Sequence, residues 1–172
     1  MKKTLLVLSA ATLLLLPTAE AKAITLRSII TGSGGQTQIF PSLFTVTKRT
    51  ADYTYLTLGI GQVAVDDSKR LRAVMVLALK EYLKPSERAL FNKTVHQVAT
   101  KCFNLAPERL PAISAWLDRQ NASPLRDASV NFGPMSMNYS REIGDDGTYV
   151  TNVTMQRTGK PGVAPWVNYC VR

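Results

Sequence analysis

The sequence is poor in the residues that build metal and redox sites. It holds one histidine and two cysteines in 172 residues. A single histidine excludes a histidine metal cluster, and no Cys-x-x-Cys pair occurs that could bind zinc or cycle between thiol and disulfide. The hydrolase motifs Gly-x-Ser-x-Gly and Ser-x-x-Lys are missing as well. We therefore predict no metal and no cofactor.

Phosphate-binding and calcium-binding loops are also missing. Gly32, Gly34 and Gly35 match neither the dinucleotide motif nor the P-loop, so they predict an ordinary flexible loop. Asp145 and Asp146 lack the Asp series and the distal Glu of a calcium loop. The Asp-Gly step that follows them predicts a hairpin turn instead.

Acidic residues are scarce. The chain has 12 Asp and Glu against 21 Lys and Arg, a formal charge of +9, and removal of residues 1–23 leaves 11 against 18, or +7. Such a charge favours adsorption to anionic polymers such as envelope polysaccharide, nucleic acid or lipid head groups. The charges are scattered, so composition does not choose among these partners.

Only one long apolar run occurs, residues 4–16, and it is short for a membrane span. Lys2 and Lys3 precede it, and small residues spaced as Ala-x-Ala follow it. This pattern predicts a secretory signal peptide, residues 1–23, and an exported domain, residues 24–172. Cleavage after Ala21 or after Ala23 both fit. The expected location is the periplasm or the extracellular space.

Two cysteines in an exported chain predict one disulfide. Cys102 and Cys170 are 68 residues apart. Closing a loop of that length stabilises the fold by about 4 kcal/mol in the chain-entropy model. The bond would join the end of a helix to a C-terminal strand and leave no thiol for catalysis.

The order of elements predicts a single α+β domain in which an antiparallel sheet carries two to three helices on one face. Residues 43–49 and 53–65 have the β-branched and aromatic composition of strands, and residues 128–143 and 148–157 alternate as the arms of a hairpin. Two separate subdomains are the alternative.

Residues 68–84 predict a central apolar helix. The segment contains no glycine or proline, Asp66, Asp67 or Ser68 could cap it, and Pro85 follows it. On such a helix four basic residues share one flank of about 120°. That flank is a candidate polyanion-binding site, formed by Lys69, Arg72, Lys80 and Lys84.

Residues 86–103 predict a second helix and residues 111–120 a third. In the second, an apolar stripe includes Cys102, and His96 lies about 120° away from Cys102 around the axis. The two side chains therefore diverge and cannot form a local thiolate–imidazole pair. We expect an exposed or half-exposed His96, with which a residue distant in sequence could still interact.

These observations favour an exported basic domain with a non-catalytic binding or envelope-associated role. One alternative is a small hydrolase whose site forms only in three dimensions, from scattered carboxylates such as Asp118, Asp127 and Glu142 or from His96. Another is contact with nucleic acid through the basic flank.

Overall fold

The computed structural model describes residues 21–31, 35–144 and 146–172. Most of the predicted signal peptide, Gly32 and Gly34 of the predicted loop, and Asp145 lie outside these ranges. In chain order the elements are β1 (Ala23–Thr25), α1 (Leu26–Thr31), β2 (Gln36–Ile39), β3 (Leu43–Arg49), β4 (Tyr55–Val65), β5 (Leu71–Ala78), α2 (Pro85–Phe103), a 3-10 turn (Pro107–Arg109), α3 (Leu110–Ala122), β6 (Asp127–Phe132), β7 (Met135–Ile143), β8 (Tyr149–Arg157) and β9 (Tyr169–Val171).

Seven strands form one antiparallel sheet in the order β2-β3-β4-β5-β8-β7-β6, with β2 and β6 at its edges. A separate parallel pair joins β1 to β9. The predicted hairpin is confirmed for its turn, because β7 and β8 pair from Ile143 and Tyr149 onwards. Its first arm, predicted over residues 128–143, is instead two strands, β6 and β7, that pair with each other. The prediction of a single α+β domain is confirmed too.

One face of the sheet is apolar and carries the helices. Residues of successive strands lie opposite one another on it, and α1 packs on β3 and β4 while α2 packs on β5 and β8. The alternation of buried and exposed residues along β3 and β7 follows from the two-residue period of a strand. The centre of this face is formed by Val46, Leu58, Val76, Val153 and Met137.

The predicted helix over residues 68–84 is wrong, because its apolar part is the strand β5. This strand lies between β4 and β8 in the middle of the sheet. Val74 and Val76 point to the covered face, and Leu77 on the other face is also buried. A strand buried on both faces reads as a continuous apolar run, which periodicity alone cannot distinguish from a buried helix.

The polar residues before β5 cap a turn rather than a helix. The Asp66 carboxylate accepts hydrogen bonds from the amides of Ser68 and Arg70, each at 2.9 Å. Lys69 takes a left-handed backbone conformation, with φ of 63°. Asp and Ser favour helix N-caps and turns for the same reason, since their side chains bond nearby backbone amides. The sequence pattern was therefore ambiguous at this point.

The predicted helices over residues 86–103 and 111–120 are confirmed as α2 and α3. Pro85, read as a helix stop, is instead the first residue of α2, where a missing amide hydrogen costs nothing. Lys84 is the N-cap, and the Glu87 carboxylate accepts its backbone N–H at 2.7 Å. None of the helices in the described ranges is long and apolar enough to cross a membrane.

The predicted disulfide between Cys102 and Cys170 is confirmed, with a Cα–Cα distance of 4.8 Å. Both cysteines are fully buried, so the bond fixes the last turn of α2 to β9 inside the core. The Trp166 indole donates a hydrogen bond to the Cys102 carbonyl at 2.7 Å. This contact satisfies one of the carbonyl groups that a helix end leaves without an intrahelical partner.

Two buried arginines on the covered face of the sheet contact the C-terminal ends of helices. Arg141 of β7 donates all five guanidinium hydrogens to backbone carbonyls, at 2.7–3.0 Å, including those of Gln120 and Asn121 in the last turn of α3. Arg157 of β8 donates to the carbonyl of Phe103, the last residue of α2. A cation in this position also opposes the partial negative charge of the helix end.

Reduction of the disulfide should lower the free energy of unfolding by about 4 kcal/mol, because it frees a 68-residue loop in the unfolded chain. Urea unfolding with and without reductant, followed by tryptophan fluorescence, measures this change. The Cys102→Ala/Cys170→Ala variant should lose a similar amount and be insensitive to reductant. An equal reductant effect on that variant would assign the change to something other than this bond.

Replacing Arg141 with Met should destabilise the fold by at least about 3 kcal/mol, because several buried carbonyls then lose a charged donor. Arg119→Met is the matched control, since Arg119 is an exposed arginine on α3, and its change should stay within about 0.5 kcal/mol. Denaturant unfolding of both variants gives the comparison. Equal stabilities would mean that Arg141 does not hold the end of α3.

Candidate functional site

The four basic residues predicted to share a helical flank do not lie together, so the predicted flank does not form. Lys69 and Arg72 precede or begin β5, whereas Lys80 and Lys84 follow its end. An eight-residue strand spans about 25 Å, so the two pairs are far apart. Lys80 is moreover engaged with Glu87, at 2.6 Å between Nζ and Oε1.

The carboxylates considered for a hydrolytic pair lie on three different elements. Asp118 is on α3, where it faces Arg88 at 3.7 Å, and Asp127 and Glu142 are exposed on β6 and β7. Across the described ranges, no three His, Cys, Asp or Glu side chains are grouped in a way that could hold a metal ion.

His96 is half-buried on α2, as expected, and does not meet a thiol, since Cys102 is in the disulfide. A residue on another helix forms a hydrogen bond with it. Its Nε2 atom lies 3.0 Å from the Ser114 hydroxyl on α3.

A cationic cavity of about 750 Å³ lies where β2 and β3 meet α2. Lys48 of β3 projects into it, so we name it the Lys48 cavity. Its volume falls within the range of pockets that hold small ligands. Besides Lys48, its walls are formed by Gly35, Gln36, Thr47, Arg49, Tyr55 and Leu90.

The side chain of Lys48 is mostly buried, but its amine reaches solvent in the cavity and has no counter-ion among the described residues. Its side chain points to the covered face with Phe44 and Val46, and the residue is only 7% exposed. Within the described ranges no hydrogen bond or ion pair reaches its amine, and the ion pairs found there join other residues. Partial burial of a lysine penalises its charged form, and here no opposite charge among the described residues offsets that penalty.

A second lysine makes the Lys48 cavity more positive. Burial in the first place, and then repulsion from the Lys93 ammonium on α2, lower the pKa of Lys48 below its usual 10.5. Both effects penalise the charged form of the amine. An anion bound in the cavity would offset both effects, because it would place an opposite charge beside the amine.

The remaining walls are held in place by local contacts. The Arg49 guanidinium lies over the Tyr53 ring, 4.4 Å from its centre. At Gly35, with φ of 104°, a Cβ atom would stand 2.5 Å from the Thr47 carbonyl oxygen. Only glycine fits a position with that conformation and so close a neighbour. The cavity wall at Gly35 therefore depends on the absence of a side chain.

The sequence contained a signal for Lys48 that composition does not reveal. In the strand "LFTVTKR", residues 44, 46 and 48 alternate onto one face, so a lysine follows two apolar residues into the core. A charged residue at an inward position of an amphipathic strand is the pattern that could have indicated the site. The contribution of Lys93 could not be read in this way, because it depends on how α2 packs.

Comparison of the chain with protein-family models, with curated proteins and with solved structures found no match. The function must therefore be argued from the residues themselves.

The Lys48→Met variant should be as stable as the wild type or more stable at neutral pH, because it removes a partly desolvated cation that has no counter-ion and is repelled by Lys93. Between the lowered pKa and the usual 10.5, the unfolded state binds more protons, so the free energy of unfolding of the wild type should rise with pH. That part of the rise should be missing in the variant. Urea unfolding at several pH values measures both effects.

Lys80→Met is the contrasting control, since it leaves the buried Glu87 carboxylate without its ammonium partner. It should lower the free energy of unfolding by about 1–3 kcal/mol. A comparable loss of unfolding free energy in Lys48→Met would show that Lys48 has a stabilising partner. It would contradict the finding that the Lys48 amine has no counter-ion.

Proposed function

We propose that this chain is an exported domain that binds anionic groups of an envelope polymer in the Lys48 cavity, with no chemical step at Lys48. The observation that carries the proposal is Lys48, a residue only 7% exposed that lines the cavity and whose amine has no hydrogen-bond or ion-pair partner among the described residues. Lys93 on α2 is near enough to repel the Lys48 amine, although it does not line this cavity.

The other buried cations of the domain support this assignment by contrast. Arg141 and Arg157 lie on the same face of the sheet, and both donate to backbone carbonyls at helix ends. Their burial is explained by the fold. Lys48 has no such contact, so its burial is explained by a ligand that completes the site.

Export is supported by the sequence pattern of residues 1–23 and by the disulfide, which persists in oxidising compartments. The start of the fold favours cleavage after Ala21. The Lys22 carbonyl accepts a hydrogen bond from the Tyr169 amide at 3.1 Å, and Ala23 lies opposite Tyr169 in the β1–β9 pair. Cleavage after Ala23 would remove both contacts.

Retention on immobilised heparin tests the proposal, with heparin as the anionic probe. Wild-type protein should be retained at low salt and elute as the ionic strength rises, because salt screens the attraction. Lys48→Met should elute at clearly lower salt than Lys69→Met and Lys101→Met. All three variants lose one positive charge, but only Lys48 lies in the cavity, and the other two lysines are exposed.

Equal elution of the three variants would contradict the proposal, because retention would then follow net charge alone. Lack of retention of the wild type even at low salt would contradict it as well. The unfolding measurements on Lys48→Met exclude loss of the fold as the cause of weaker binding.

A further inference from the structure

A second cavity lies on the other side of Lys93, between α2 and α3. It measures about 560 Å³ and is open to solvent, and we name it the His96 cavity. His96 and Ser114 line it together, with the histidine Nε2 and the serine Oγ 3.0 Å apart. The binding proposed for the Lys48 cavity makes no use of this pair.

The pair has the geometry of a nucleophile and its general base. A serine is a weak nucleophile until a base within hydrogen-bond reach takes its proton. Neutral imidazole with its hydrogen on Nδ1 leaves Nε2 free to accept that proton. Burial in the first place lowers the pKa of His96 below its usual 6.5, which keeps the ring neutral and able to act as a base.

We infer that Ser114 and His96 form a hydrolytic site for small carboxylic esters. The Ser114 oxygen attacks the ester carbonyl carbon, and His96 accepts the hydroxyl proton as the new C–O bond forms. The imidazolium returns that proton to the alkoxide when the alcohol leaves. A water molecule then attacks the acyl-serine, with His96 as base again, and releases the acid and free Ser114.

Neighbouring side chains supply the other requirements of the reaction. Asn92 and Lys93 precede His96 by one turn of α2 and line the same cavity. An amide and an ammonium there can donate to the oxyanion that forms on the attacked carbonyl. Asp118 lines the cavity from α3 and is drawn towards Arg88, 3.7 Å away. Esters are the expected substrates for two reasons. The open cavity admits them, and the departing alkoxide needs only the one proton that the His96 imidazolium carries.

A fluorophosphonate probe tests the inference, since Oγ attack on phosphorus displaces fluoride and leaves a stable adduct. The wild type should incorporate one probe per chain, and peptide mapping should place it on Ser114. Ser114→Ala should abolish labelling, and His96→Gln should slow it by about 100-fold or more, the usual contribution of a general base. Ser68→Ala, which removes an exposed hydroxyl, should label like the wild type.

The labelling rate of the wild type should also rise with pH as His96 loses its proton, with a midpoint below pH 6.5. The charged groups that line this cavity with His96 are Lys93 and Asp118, and Asp118 lies 3.7 Å from Arg88. A hydrogen bond with the Leu110 backbone raises the pKa of His96, but burial outweighs it. No adduct on Ser114 in folded wild-type protein, or an adduct that forms as fast in His96→Gln, would overturn the inference. The Ser114–His96 contact would then be a hydrogen bond that joins two helices.

The test is separate from that of the binding proposal. Lys48→Met should label at the wild-type rate, and Ser114→Ala should elute from heparin like the wild type. Either assignment can therefore fail while the other stands.

Discussion

Helix α2 is anchored at both ends by buried groups, and both cavities depend on its position. At its N-terminal end, Glu87 accepts the Lys84 amide and pairs with Lys80. At its C-terminal end, the disulfide of Cys102, with Trp166 and Arg157, holds the last turn against β8 and β9. The 19-residue helix that contains these anchors is thus held in one position. The same helix supplies Leu90 to the Lys48 cavity and His96 to the other, with Lys93 between them.

Three cations are buried on the covered face of the sheet, and their partners differ. A guanidinium carries five donors in a rigid plane, which suits the several carbonyls exposed at a helix end. Arg141 uses all five in that way. The ammonium of Lys48 is a compact charge with no such set of acceptors among the described residues. Two of these cations therefore have partners within the fold, and the third is the one for which we propose a ligand.

Sequence patterns predicted the fold class, α2, α3, the late hairpin and the disulfide, because each depends on local chemistry or on a count of cysteines. They failed at β5, whose apolar run fits a buried helix as well as a central strand. The prediction of the basic flank failed for the same reason, since Lys69 and Lys84 share a side only if residues 68–84 are helical. The contact of His96 with Ser114 could not be predicted from the sequence, for a different reason. It joins residues of separate helices, and only the packing of α2 on α3 brings them together.

The pairing of β1 with β9 sets the order of events when the chain is made. Ala23 lies opposite Tyr169, so this pair cannot form on the ribosome until nearly all of the described chain has been synthesised. During that interval Cys102 remains a thiol, because Cys170 is not yet beside it. With two cysteines only one intramolecular bond is available. Formation of the Cys102–Cys170 bond therefore requires an oxidant, and these two cysteines have no alternative intramolecular pairing with each other.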